Sequence, residues 1–159
     1  MLEATVNTLT WLAAAGSALL AGTFFAFSSF VMKGLSRLPP ERGIQAMQAL
    51  NVAALERGLM SAFFGTTGVC LLLAVSTPWT WSTTGAGPRL AGALLLLVGG
   101  FVVTAAFNVP RNELLAALSP TSPEAASQWR SYVATWTAWN HVRTAACLAA
   151  ALLLARATR

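Results

Sequence analysis

The stretch Trp136-Thr137-Ala138-Trp139-Asn140-His141-Val142-Arg143-Thr144 gathers the chain's one histidine, a guanidinium, an amide and two indoles. Together they offer a titratable base, a cation for a developing oxyanion, a side chain that both donates and accepts, and flat apolar walls. That set suits acid–base chemistry on an aromatic molecule that bears an oxygen. His141, Arg143 and Asn140 are the candidate catalytic residues, and Trp136 and Trp139 the candidate walls of the substrate site. On a helix turning about 100° per residue, Thr137, Asn140, His141, Arg143 and Thr144 fall within an arc of about 160°. The opposite face carries Ala138, Val142, Ala145, Ala146 and Ala149, which suits lipid or close helix packing, so the polar arc is expected to face inward as a unit.

Other chemistries find too few residues. One histidine, no aspartate and two cysteines in separate apolar runs, Cys70 and Cys147, assemble no ordinary zinc, copper or di-iron ligand set, so no metal is expected. A haem would need only His141 and stays open. Gly85-Ala86-Gly87-Pro88 lacks the strand–turn–helix setting of a phosphate loop. The net charge is +5, but nine of the ten bases are arginines scattered singly, without the clusters that follow a nucleic-acid backbone. An enzyme so equipped would work on a reactive apolar substrate without cofactor machinery.

The elements that must position these residues are set by composition. Of 159 residues 56% are hydrophobic and 9% charged, with a mean hydropathy of +0.63, too few charges to coat a water-soluble globule. The fold class expected is all-α, a single integral membrane four-helix bundle with spans near 8–32, 57–76, 89–108 and 131–155. The acidic Met1-Leu2-Glu3 start and the length of the apolar run behind it suit a retained anchor better than a signal peptide. Glu41 to Glu56 reads as an amphipathic lead-in continuous with span two, one long helix. Ser76 to Pro88, with Trp79 and Trp81, reads as an interfacial loop. Asn108-Val109-Pro110-Arg111-Asn112 is expected to end span three, followed by a short helix over Glu113 to Leu118.

After Arg143 only Thr144 to Ala155 is uncharged, about 18 Å of helix against a bilayer core of about 30 Å. A crossing helix therefore needs Ser131 to Ala155 at membrane depth, with Asn140, His141 and Arg143 near the middle; a hairpin dipping in from one side is the alternative. An intramembrane charge faces the bundle interior and finds partners, and Glu56 is the best available carboxylate for Arg143 or Arg111. Asn51, Glu56, Asn108 and Arg111, near the ends of their spans, could line the mouth of a pocket. The Phe24, Phe25, Phe27, Phe30 cluster reads as core or lipid-facing surface. Lys33, Arg37, Arg42, Arg57, Arg111 and Arg130 against Arg89, Arg156 and Arg159 favour loops one and three in the cytoplasm.

Four blocks recur together: Gly22-Thr23-Phe24-Phe25-Ala26-Phe27-Ser28-Ser29-Phe30-Val31-Met32, Gly43-Ile44-Gln45-Ala46-Met47-Gln48-Ala49-Leu50-Asn51, Phe107-Asn108-Val109-Pro110-Arg111-Asn112, and Trp136 to Thr144. In this order they resemble the small integral membrane proteins of the anthrone oxygenase family. The resemblance implies a monooxygenase that turns an anthrone-like substrate into a quinone with O2 and no organic cofactor, as in the fungal polyketide-pathway members. It also implies, through the bacterial relatives, a multi-pass protein of a bacterial inner or plasma membrane. The partners so implied are a hydrophobic aromatic small molecule and membrane lipid, with room for a homo-oligomer. On this reading His141 removes the substrate proton, Arg143 and Asn140 hold the oxyanion, and Trp136 and Trp139 flank the rings. The rival is a non-catalytic subunit or carrier that binds a quinone, a haem or a partner helix.

Overall fold

The computed structural model describes residues 1–158. Arg159, counted above in the charge asymmetry, lies outside the described residues. Five helices follow in order: α1 (Leu2–Leu35), α2 (Pro40–Ala54), α3 (Arg57–Thr80), α4 (Ala86–Ala117) and α5 (Ala125–Arg156). All but α2 are long and apolar enough to cross a membrane, so the chain is a multi-pass membrane protein built as a four-helix bundle. Around the bundle α1 packs on α3, α3 on α4, α4 on α5, and α5 back on α1. Span four therefore sits between spans one and three.

At about 1.5 Å per residue α3 is about 36 Å long, whereas α1, α4 and α5 reach about 48–51 Å. α3 fits a bilayer and the other three project beyond it. Their projecting ends are covered by α2, whose Gly43, Ile44 and Met47 are buried against Met32, Leu115, Trp129, Tyr132 and Trp136. The Gln48 amide donates to the carbonyls of Leu115 (2.8 Å) and Leu118 (3.0 Å), satisfying the end of α4. Within the bundle a second core includes Leu20, Cys70, Leu73, Leu96, Cys147 and Leu154.

Three sequence expectations are corrected. The lead-in and span two are separate helices, because Glu56 adopts an extended backbone (φ −68°, ψ 162°) that breaks the run. Pro110 does not end span three: the helix runs on to Ala117 and absorbs the expected short helix. Proline lacks an N–H and clashes with the carbonyl four residues back. Here a π-helical turn, Thr104–Asn108, lies just before it and widens the backbone at that place. The interfacial loop also shrinks, since α3 continues through Pro78 to Thr80 and α4 starts at Ala86. Trp79 and Trp81 remain exposed beside it, as boundary tryptophans should.

Gly85 makes that tight connection. Its φ is +75°, and a Cβ there would collide with the carbonyl oxygen of Ala157, so the loop passes directly over the end of α5. Gly85→Ala should cost at least about 1 kcal/mol from the left-handed backbone alone. A clear drop in the thermal unfolding midpoint in detergent is the expected result, and an unchanged midpoint would contradict the packing described.

Candidate functional site

Arg143 is 5% exposed and lies one helical turn from Cys147, which packs beside Gly100 in the bundle core. Its guanidinium donates to Asn140 Oδ1 and, at 3.2 Å, to Thr104 Oγ1. The guanidinium carbon stands 4.2 Å from the centre of the Phe24 ring and 5.2 Å from that of Trp136. Two hydrogen bonds and two aromatic faces hold the cation, and each of the four is electrically neutral. The expected ion pair with Glu56 is corrected: Glu56 is exposed at the start of α3, and no carboxylate pairs with Arg143 among the described residues. A carboxylate at the end of α3 would have to be dehydrated to reach that depth, whereas Thr104, Asn140 and the two rings are already there.

Asn140, fully buried, is the joint between α5 and α1. Its Nδ2 donates to the Phe24 carbonyl at 2.7 Å and to Ser28 Oγ at 2.6 Å, while its Oδ1 accepts from Arg143. Both α1 partners lie where the helix passes into a π-helical turn, Phe27–Val31. In α4 two more π turns follow each other, Leu96–Val102 and Thr104–Asn108, and the second begins with the threonine that accepts from Arg143. Such turns are frequent at functional sites, and here Ser28 in one bonds Asn140 while Thr104 in another bonds Arg143.

Arg143 lines an apolar cavity of about 140 Å³ shared by all five helices. Helix α1 contributes Thr23, Phe24 and Phe27; α2 contributes Met47, Leu50 and Asn51; α3 contributes Leu59, Met60 and Phe63; α4 contributes Thr104 and Asn112; α5 contributes Trp136. Among the described residues Arg143 is the one ionisable group in the lining. Three of the lining residues carry buried N–H groups without a partner: Arg143 Nε, Asn51 Nδ2 and Trp136 Nε1. Unpartnered buried donors are costly, and here they belong to residues that line an apolar cavity beside a guanidinium with no carboxylate partner among the described residues.

The structure thus brings together Arg143, Asn140, Trp136 and Asn51 and separates the other candidates. His141 is exposed and lines a different, open groove with Ser28, Lys33, Ser36 and Thr137. The polar arc does not face inward as a unit, and the expected pairing of His141 as base with Arg143 as oxyanion holder at one pocket is corrected. The reason is geometric: from Arg143 aimed at the bundle axis, His141 two residues earlier points about 160° away. Trp139 stacks face to face on Phe107, centroids 3.6 Å apart, and does not line the cavity. Asn108 is buried and donates to the Trp136 carbonyl at 3.3 Å, clipping α4 to α5 behind the cavity. Arg111 donates to the Phe107 carbonyl at 2.6 Å and faces a separate groove beside Tyr132.

Phe24, Phe27, Thr104 and Asn112 were not singled out as site residues by sequence reading. Within the phenylalanine cluster Phe24 and Phe27 turn to the cavity, whereas Phe25 and Phe30 are exposed. Thr104, a lone hydroxyl within an apolar run, was the available signal. Asn112 accepts a 2.9 Å hydrogen bond from the Tyr132 hydroxyl and so ties α4 to α5 at the cavity wall.

Fold and site define a multi-pass helical membrane protein with a buried arginine beside an apolar cavity inside the bundle. A family model described as anthrone oxygenase matches residues 53–153, more than half of the chain, and the protein belongs to that family. No curated protein and no solved structure matches it. The matched stretch contains Thr104, Asn112, Trp136, Asn140 and Arg143, while Phe24 and Asn51 are supplied from outside it by α1 and α2.

Asn140→Ala should destabilise the bundle by about 2–3 kcal/mol, since it leaves a buried carbonyl, a hydroxyl and a charged guanidinium short of a partner. His141→Ala, at an exposed position, should change stability by no more than about 0.5 kcal/mol. Thermal unfolding of both variants in the same detergent tests this, and equal losses would contradict it.

Proposed function

We propose that the protein is an oxygenase that binds an anthrone-like phenolic polycycle in the Arg143 cavity as its oxyanion and lets that anion react with O2. The observation that carries this reading is a guanidinium with no carboxylate partner among the described residues in the lining of an apolar cavity, where Asn51 and Trp136 also carry buried N–H groups without a partner. A cavity of about 140 Å³ is the size that takes one aromatic ring, by comparison with an engineered 150 Å³ cavity that binds benzene. The oxygen-bearing ring of the substrate sits there, and the other rings extend past Leu50 and Leu55, which are partly exposed.

In such a site the cation and the donors stabilise the enolate far more than the neutral ketone, because the surroundings are apolar and already oriented. Binding therefore raises the acidity of the substrate's methylene, and the proton leaves to water without a basic side chain in the lining. The activated carbon forms a bond to O2 to give a peroxide. One oxygen atom stays as the new carbonyl; the other leaves as water, with both methylene hydrogens. The electrons come from the substrate, so the balance is anthrone plus O2 giving quinone plus water and calls for no organic cofactor.

Arg143→Gln should lower kcat/KM for an anthrone by about 100-fold or more, as loss of an oxyanion donor commonly does. Arg143→Lys should recover only part of that, because it keeps the charge but loses the Nε donor and the planar fork. His141→Ala should stay within about 2-fold of the wild type and share its pH profile, unlike removal of a general base, which commonly costs at least about 100-fold. Oxygen uptake by the purified protein measures all three. Tight binding of the quinone with no oxygen uptake from the anthrone would instead mark the protein as a carrier.

A further inference from the structure

A second buried arginine lies at the opposite end of the bundle. Arg89, in the first turns of α4, is 2% exposed. Its terminal nitrogens donate to Thr83 Oγ1 (2.9 Å), to the Thr80 carbonyl and Oγ1 (3.2 and 3.3 Å) and to the Thr84 carbonyl (3.4 Å). These contacts tie down the end of α3, a role that suits a cation near a helix C-terminus. They leave two things unsatisfied. All four acceptors are neutral, and Arg89 Nε is buried with no partner.

Arg89 also lines a cavity of about 280 Å³, with Thr10 and Asn7 from α1, Thr83 and Thr84 from the loop, and Thr158 beyond α5. Among the described residues one carboxylate belongs to this lining, that of Glu3, which is exposed in the first turn of α1. The cavity thus has a positive, hydroxyl-rich inner wall and a negative group at its rim. Its depth is marked by Trp79 and Trp81, exposed on the same loop region and of the type that sits at the level of lipid headgroups.

We propose that this cavity is a binding site for a zwitterionic phosphoethanolamine group, with the phosphate on Arg89 and the ammonium on Glu3. Its natural source at this depth is a phosphatidylethanolamine headgroup. Arg89 supplies the charge for the phosphate, and the threonine hydroxyls of the lining supply further donors. Glu3 discriminates: it attracts an ammonium and repels a headgroup that is anionic overall. The site is separate from the Arg143 cavity, so neither reading depends on the other.

The full chain, in mixed micelles of a neutral detergent with phosphatidylethanolamine, phosphatidylglycerol or phosphatidylcholine, tests this through lipid-dependent shifts of the thermal midpoint. Inorganic phosphate and free phosphoethanolamine form parallel arms that separate a lipid source from a soluble one. The wild type should be stabilised most by phosphatidylethanolamine. Glu3→Gln, at an exposed and structurally undemanding position, should weaken that binding by up to about 5-fold and shift preference toward phosphatidylglycerol. Arg89→Gln should weaken binding of every phosphate-bearing probe by more than about 10-fold. If Arg89→Gln does not fold, the Glu3→Gln comparison still decides. Equal stabilisation by all three lipids, or a preference unchanged by Glu3→Gln, would overturn the proposal.

Discussion

A positive charge held inside the bundle by neutral groups is the constraint on which this structure turns. Placing an arginine at the centre of a membrane helix costs about 2.5–3.5 kcal/mol on insertion scales. A desolvated contact with an aromatic face returns about 2 kcal/mol or more, and Arg143 has two such faces besides two hydrogen bonds. Those contacts offset the cost of placement without cancelling the charge. The positive charge is left beside an apolar cavity, with no carboxylate partner among the described residues.

The rest of the fold serves that placement. Asn140 must lie one turn before Arg143 to orient it, and by reaching the Phe24 carbonyl and Ser28 it also fixes α1 against α5. The π turns at Phe27–Val31 and Thr104–Asn108 hold Ser28 and Thr104, which bond Asn140 and Arg143 respectively. Helix α2 lies over the projecting ends and adds Met47, Leu50 and Asn51 to the cavity, so the cavity wall is complete only with all five helices in place. Membership of the anthrone oxygenase family rests on residues 53–153, yet the aromatic face of Phe24 and the amide of Asn51 come from outside that stretch.

Sequence reading recovered what hydropathy and charge cost determine: four spans, an amphipathic cover, and Arg143 with Asn140 pointing inward. It failed where one residue of rotation decides. Helical periodicity placed His141 on the edge of the polar arc, but once Asn140 and Arg143 take the interior, the remaining angle leaves His141 exposed. It also failed where backbone geometry departs from the regular period. A π turn shifts the phase of everything after it, so Pro110 read as a stop when the widened turn before it lets α4 continue. Glu56 appeared to be the natural partner for Arg143 because sequence counts charges, whereas the bundle uses aromatic faces and hydroxyls that no charge count reveals.

The central claim is that the Arg143 cavity binds its substrate as an anion. The most direct measurement is the absorption spectrum of an anthrone bound to the purified protein in the absence of O2 at neutral pH, where reaction cannot proceed. The account predicts the red-shifted spectrum of the enolate on the wild-type protein and the spectrum of the neutral anthrone on Arg143→Gln. A neutral anthrone bound equally well by both proteins would contradict it.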